Sequence, residues 1–414
     1  MRRHLIMTTL SFPIPAPVDS PATPRVLRLA IVLALVQALW MFAAVNFVAP
    51  HYSDLLTGDI AYFLGAAKHA LAGEMPYRDF AFEYPPGALL AMLAPAALVG
   101  RSPDATSYLW ALVFQNAVLA GVITLLLSRW SGLRAAAAFN LLLAIGAAFV
   151  PLRFDLLPAL LTLLAVRYAI DRPVRSGAFL AIGVCVKLYP AVLLPMLLVP
   201  HLTARRWRDG FQLALGFAAT MALVLIPFAV LSHNHLFDFL AFHRARGLQI
   251  ESVAGAAILL ASKLHLTSAT VGTSFFSSNV TSPWSSGAMI AMQLAMLALL
   301  GMQLLQEWMR WHSGKSHDLA IVATTTLLIF IACNKVFSPQ YVVWVFPLVA
   351  MTRSRFAVAA AICLLTSTVF PFLYDSLKQI DWLPVLLVNA RNVLLLAMII
   401  YGFTTRPRNK IVPV

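Results

Sequence analysis

The sequence predicts an all-α polytopic membrane protein, on three observations. Of its 414 residues 61% are apolar and 11% charged, with a mean hydropathy of +0.83, whereas soluble domains carry roughly 25% charged residues. The apolar residues gather into runs near 29–49, 88–100, 106–128, 135–151, 156–170, 177–189, 190–202, 211–231, 286–306, 319–336, 339–351, 356–373 and 383–403; a crossing helix needs about 20 such residues. The 30 Lys and Arg sit singly or in short groups between these runs, as expected where basic residues fix loops on the cytoplasmic side. A net charge of +14 distributed in this way makes no basic soluble face, so no nucleic-acid partner is expected.

Charge position then sets the topology. Arg2, Arg3, Arg25 and Arg28 put the N-terminus inside. The proline-rich stretch 1–24 reads as a disordered cytoplasmic tail, and the first apolar run as an uncleaved signal anchor. The basic groups at 128–134, 171–175, 204–208, 310–315, 352–355 and 404–410 are all cytoplasmic only if the run 88–100 does not cross. That run is too short to span, so it is expected as a helix lying on the outer surface. Twelve crossings remain, with both termini cytoplasmic in a plasma membrane. This arrangement places 19 Lys and Arg inside and 11 outside, but 11 Asp and Glu outside. Acidic residues are weak topology determinants, so the outer acids mark a functional surface. The chain thus divides into the tail, a single membrane domain over 25–405 and a cytoplasmic tail at 406–414. Within the domain, 50–105 is a first outer loop with interfacial helices and 232–285 a second long outer loop.

Two pairs of short runs are interrupted at polar, proline-bearing junctions: Lys187-Leu188-Tyr189-Pro190, and Asn334-Lys335-Val336-Phe337-Ser338-Pro339-Gln340-Tyr341. Proline removes a helix hydrogen bond, and broken helices at membrane depth are tolerated where they line a cavity. Cys185, Cys333 and Cys363 lie in or at the ends of apolar runs without CxxC spacing, which supports neither a disulfide framework nor a thiol metal site.

The first outer loop, residues 55–90, is the densest polar stretch. With Asp54 at its edge it carries Asp59, Glu74, Asp79 and Glu83, and Lys68 and Arg78 among them. On the same side fall Arg153, Asp155, Lys187, Tyr189, His243, Arg244, Arg246, Glu251, Lys335, Gln340 and Tyr341. An ionisable group near hydrocarbon costs at least about 2.5 kcal/mol at mid-bilayer, so several at one depth imply a water-accessible pocket. No GxxxxGK[ST], GxGxxG, HExxH or GxSxG string is present, which leaves nucleotide cradling, zinc hydrolysis and a serine elbow unsupported. Glycosyl transfer from a phosphate needs less: one carboxylate to take the proton of the attacking hydroxyl and one or two cations to hold the phosphate.

The segment from Gly58 to Leu90 resembles the first outer loop of the GT-C superfamily of membrane glycosyltransferases. The chain as a whole more closely resembles glycosyltransferase family 87, which includes polyprenol-phosphate-mannose-dependent α-mannosyltransferases. The resemblance rests on Asp59 with Tyr62 and Gly65, the Tyr84-Pro85-Pro86 turn, Phe154-Asp155, Lys187-Leu188-Tyr189-Pro190, and Ser338-Pro339-Gln340-Tyr341 with Trp344. It departs from the family pattern at Leu156-Leu157-Pro158. It implies a GT-C-like membrane fold, a polyprenyl-phosphate sugar donor, most simply of mannose, and a lipid or glycan acceptor in envelope glycolipid biosynthesis. Asp59 is then the base of an inverting transfer. Lys187, Lys335, Arg244, Arg246 and His243 are expected at the donor phosphate, and Glu83, Tyr84, Arg153, Asp155, Tyr189, Gln340 and Tyr341 at the substrates. No cofactor is called for; the scheme requires no metal.

Plainer readings stand beside these. Asp59 suits a loop helix end, Glu83 a pair with Arg78, and Arg153 with Asp155 a local ion pair. Lys187 also reads as a lysine snorkelling to the interface, His243 to Arg246 as a solvated face, and Gln340 and Tyr341 as a helix cap. A transporter or lipid flippase with a midplane site is the alternative function, though no inverted repeat is visible. A ligase using a diphosphate-linked glycan is a variant of the enzyme reading.

Overall fold

Two of the long helices start where the sequence supplies a side-chain cap. In the computed structural model, which describes residues 23–52, 55–100, 103–233, 235–316, 318–353, 355–405 and 408–409, Thr23 caps α1 (Pro24–Val48) by accepting the Val26 N–H, with Pro24 in the first turn. The loop helix α2 (Asp59–Leu71) and the short α3 (Ala88–Val99) follow. Asp104 then accepts two backbone N–H groups at the start of α4 (Ala105–Ser131). Next come α5 (Leu133–Ile145), α6 (Leu156–Tyr168), α7 (Pro173–Val186), α8 (Leu194–Thr203), α9 (Trp207–Leu231), α10 (Asp238–Ala245) and α11 (Val253–Lys263). The chain closes with α12 (Ser285–His312), α13 (Leu319–Cys333), α14 (Phe346–Thr352), α15 (Phe356–Ser367), α16 (Tyr374–Lys378) and α17 (Trp382–Thr404). The expected tails at 1–24 and 406–414 fall almost wholly outside the described residues, as do Asp54 and Arg101.

Among the described residues five helices are long and apolar enough to cross a membrane: α1 with its short extension, α4, α9, α12 and α17. On α9 and α12 nearly every large side chain left outside the core is apolar, Leu223, Ile226, Val230, Ile290, Leu294 and Leu297 among them. Faces of that kind require lipid rather than water. The shorter apolar helices fill the space between, and the chain is a multi-pass, predominantly helical membrane protein. Close approach within it uses small residues. A Cβ on Gly177 of α7 would meet the Leu213 carbonyl oxygen at 2.1 Å, and one on Gly216 of α9 the Val174 oxygen at 2.3 Å. The two glycines are reciprocal, so α7 and α9 pack backbone to backbone.

The interrupted pairs take the form the prolines dictate. α7 ends at Val186, Lys187 is extended, and a 3₁₀ turn over Tyr189–Leu193 leads into α8. Likewise α13 ends at Cys333, and a 3₁₀ turn over Pro339–Val345 leads into α14. The run 88–100 forms the short helix α3, packed on α2 and α4.

The segment 232–285 is more structured than the sequence suggests, and it adds a small sheet to the all-α membrane fold. Besides α10 and α11 it holds β1 (Leu248–Gln249), β2 (Thr270–Ser274) and β3 (Ser277–Thr281), an antiparallel sheet of order β1-β3-β2. Its own small core joins Leu248, Ile250, Leu259 and Val280 to Val385 and Val388 of α17. A buried ion pair moors it: Arg391 Nη1 lies 3.4 Å from Glu251 Oε1, Arg391 Nη2 donates to the Glu251 carbonyl, and the guanidinium lies 4.0 Å over the Phe337 ring. Glu251, expected among the pocket residues, is therefore a structural anchor.

Candidate active site

Several of these elements converge on a cavity of about 230 Å³. Its polar lining comes from four places: Asp59 and Glu83 of the first loop, Lys187 at the α7 break, His243 and Arg246 at the end of α10, and Lys335, Ser338 and Gln340 at the α13 break. Tyr84, Tyr189, Tyr341 and Trp344 supply aromatic walls. Of the residues expected at the donor phosphate or the substrates, Arg153, Asp155 and Arg244 are not in this lining, and neither is Glu251.

Asp59 opens α2, where a carboxylate is favoured by the helix dipole. Its Oδ2 is paired with Arg153 Nη2. Arg153 sits in an extended stretch whose backbone is fixed by Asn116 of α4, which donates to the Pro151 and Arg153 carbonyls at 2.9 Å each. The local Arg153–Asp155 pair is thus replaced by two pairs that reach across the fold. Asp155, 2% exposed, accepts on Oδ1 from Lys187 Nζ at 2.7 Å and from Trp344 Nε1 at 2.6 Å, while Oδ2 has no partner among the described residues. Trp344 stacks on Tyr189 (3.9 Å between centroids, 6° between planes) and on Tyr341 (4.1 Å, 24°). Lys187 Nζ lies within 6 Å of the Phe154, Tyr341 and Trp344 rings. The two broken-helix junctions are therefore tied together through one buried carboxylate.

The second set of cations is built on backbone. Lys335 Nζ donates to the carbonyls of Arg244 (2.9 Å) and Arg246 (2.6 Å), and the Lys335 carbonyl accepts from Gln249 N–H. This fixes the end of α10 with Arg246 facing the cavity. The Arg246 guanidinium makes no side-chain hydrogen bond or ion pair among the described residues, and its Nε is buried. Arg244 is exposed and contributes only its carbonyl. Burial, with the charge of Arg246, pushes the His243 imidazole down to about 4. His243 is accordingly a neutral hydrogen-bonding group at neutral pH and adds no charge.

Glu83 is not paired with Arg78, which binds the neighbouring Asp79 instead (2.8 Å). Its N–H donates to the Tyr62 hydroxyl at 2.9 Å. Burial pushes the Glu83 carboxyl up to about 7, with Arg246 pulling down and Asp59 pushing up. The two acids of the cavity thus differ: Asp59 is held by a guanidinium, and Glu83 changes charge near neutrality. Gln340 accepts from Ser338 Oγ at 2.8 Å. The sequence reading missed Phe276, which lines the cavity from the tip of the β2–β3 hairpin. The signal was present as two adjacent phenylalanines inside a serine-rich outer loop.

No curated protein matches the chain. Among solved structures, ArnT from Cupriavidus metallidurans bound to undecaprenyl phosphate is similar with a TM-score of 0.48 and 16% identity, over 91% of this chain and 77% of that one. The model of glycosyltransferase family 87 matches residues 82–339, more than half of the chain and most of the segments that build the cavity, and the chain belongs to that family.

Proposed function

We propose that this glycosyltransferase moves a sugar, mannose, from a polyprenyl-phosphate donor to a hydroxyl of a lipid or glycan acceptor on the outer face of the plasma membrane. The observation that carries the donor class is the unpaired Arg246 guanidinium, its Nε buried, in a cavity that also holds Lys187 and Lys335. A guanidinium with a buried Nε and no hydrogen-bonded partner has donor capacity to spare, and the phosphodiester of a lipid-linked sugar can take it up in bidentate geometry. The apolar helices around the cavity suit a donor with a long hydrocarbon tail. The sidedness, with both termini cytoplasmic, is supported by the excess of Lys and Arg on the side assigned inside.

The chemistry follows from the carboxylates and cations that share the cavity lining. The acceptor oxygen forms a bond to the anomeric carbon as the bond from that carbon to the phosphate oxygen breaks. The polyprenyl phosphate leaves with the electron pair, its charge met by Arg246, Lys187 and Lys335. The hydroxyl proton passes to Asp59, whose Oδ1 has no partner among the described residues while Arg153 fixes Oδ2. Attack opposite the phosphate inverts the centre, so a β-linked donor gives an α-mannoside. Asp155, having no access to the cavity, acts through Lys187 and Trp344.

Purified protein in lipid nanodiscs, given polyprenyl-phosphate [14C]mannose and a mannoside acceptor, is expected to place label in a new glycoside. Transfer only from a diphosphate-linked sugar would favour the ligase variant, and movement of lipid without a new glycosidic bond would favour the flippase. Because the scheme draws its charge from side chains, turnover is expected to be unchanged in excess EDTA; its abolition would assign the chemistry to a bound cation. A third result concerns pH. Below about 7 Glu83 carries a proton, and above it the carboxylate accepts hydrogen bonds from sugar hydroxyls. The acceptor KM is expected to fall as pH rises through 7 in the wild type, and to be flat in Glu83→Gln.

A further inference from the structure

The β2–β3 hairpin turns in two residues. Ser274 faces Ser277 across the strands, which leaves Phe275 and Phe276 as the turn. Both have positive φ, 51° and 52°. Two-residue hairpin turns with positive φ at both positions favour Asn-Gly or Gly-Gly, and a bulky residue there is an outlier. Such outliers persist where the surroundings hold them. Asn279 holds this one from inside: its Nδ2 donates to the Ser274 carbonyl (3.1 Å), Ser274 Oγ (2.9 Å) and the Ser277 carbonyl (3.1 Å). Asparagine or glycine would make the turn with less strain, so what the phenylalanines add is contact.

Phe276 lines the cavity, whereas Phe275 reaches it only through neighbours. The Phe275 ring meets that of Phe242 edge-on, with 5.4 Å between centroids and 81° between planes. Phe242 lies on α10, four residues before Arg246, a spacing that puts two side chains on the same side of a helix. The Arg246 Cζ lies 6.0 Å from the centre of the Phe242 ring, within reach of a cation–π contact. Lys335 fixes the Arg246 backbone through its carbonyl. The guanidinium itself has no side-chain hydrogen bond or ion pair among the described residues, so its direction is set by the ring it lies over. A carboxylate would hold the group more firmly, but it would occupy the N–H donors that a phosphate needs. A ring face holds the charge and leaves those donors open, and an arginine ordered in advance loses less freedom when its anion arrives.

We propose that Phe275 is a positioning residue for the donor. Wedged by the strained turn, it backs the Phe242 ring, and that ring aims the Arg246 guanidinium at the lipid-linked phosphate. This rests on the donor reading of the cavity and adds to it Phe242 and Phe275, which are not in the cavity lining.

Titration of the nanodisc protein with undecaprenyl phosphate, and with undecaprenol as the uncharged control, tests it without any sugar. Phe275→Asn, which suits the positive φ, is expected to melt at or above the wild-type Tm and yet to weaken undecaprenyl phosphate binding about tenfold, the scale of one partly desolvated cation–π contact. Phe242→Leu is expected to weaken it as much, the pair together no more than either alone, and Phe275→Tyr to bind as the wild type does. On an Arg246→Met background Phe275→Asn is expected to change nothing further. In the transfer assay Phe275→Asn is expected to raise the donor KM and to leave kcat and the acceptor KM as they were. Unchanged phosphate binding in Phe275→Asn, an equal loss on the Arg246→Met background, or a fall in kcat together with Tm would overturn the proposal and leave the donor reading standing. Wild-type protein that holds undecaprenyl phosphate no better than undecaprenol would refute the donor reading, and this inference with it.

Discussion

Asp59→Asn is expected to lower kcat by about 10²- to 10⁴-fold, the range of a lost general base, with little change in the KM for the donor. The argument is geometric. Asp59 and Glu83 are the carboxylates lining the cavity, and Asp59 is the one fixed by a second side chain. Asparagine keeps the size and an oxygen but cannot take the proton. It also leaves Arg153, whose side chain is 13% exposed, without its counter-ion, so a drop in stability is expected alongside. Arg153→Met on the Asp59→Asn background separates the two effects. It is expected to restore part of the Tm and none of the turnover. Wild-type kcat in Asp59→Asn, measured at saturating donor, would remove Asp59 from the mechanism.

The second large effect belongs to the buried carboxylate. Asp155→Ala removes the only ion-pair partner of Lys187 among the described residues, and the acceptor for Trp344 Nε1. Breaking a buried pair by deleting one member costs about 3–5 kcal/mol, because the other charge is left desolvated. Lys187→Met removes the charge itself and is expected to cost less stability, while raising the donor KM. The double variant is then expected to unfold at a higher temperature than Asp155→Ala alone, and to have the activity of Lys187→Met. Additive losses of activity in the double variant would instead mean that Asp155 touches substrate directly, as the sequence alone suggests. The cycle discriminates because Asp155 is 2% exposed and lies outside the cavity lining.

Much of this was legible in one dimension. Apolar runs marked the helices because each must hide its backbone from lipid, and the prolines beside Lys187 and Lys335 marked the breaks because a charge and a missing N–H coincide there. What the sequence could not carry was pairing. Arg153 and Asp155 look like partners two residues apart, yet Lys187 is 32 residues from its carboxylate. Glu251 looks like another pocket acid, and only folding brings Arg391 to it from 140 residues away. The hairpin escaped notice for a different reason. Its strands, Thr270–Ser274 and Ser277–Thr281, are serine- and threonine-rich without apolar alternation, and their turn lacks the Asn-Gly signal. The local rule is broken at Phe275 and Phe276, and the chain accepts that strain beside the cavity.

The mooring of the second outer segment to α17 has a reach beyond its own neighbourhood. Arg391 contributes nothing to the cavity lining, yet it grips Glu251, two residues past the strand whose Gln249 bonds to Lys335, which in turn sets Arg246. In the proposed mechanism, the hold on the leaving phosphate is thus set in part from α17. Damage there would surface as poor handling of the lipid substrate, in a protein whose reacting groups are all intact.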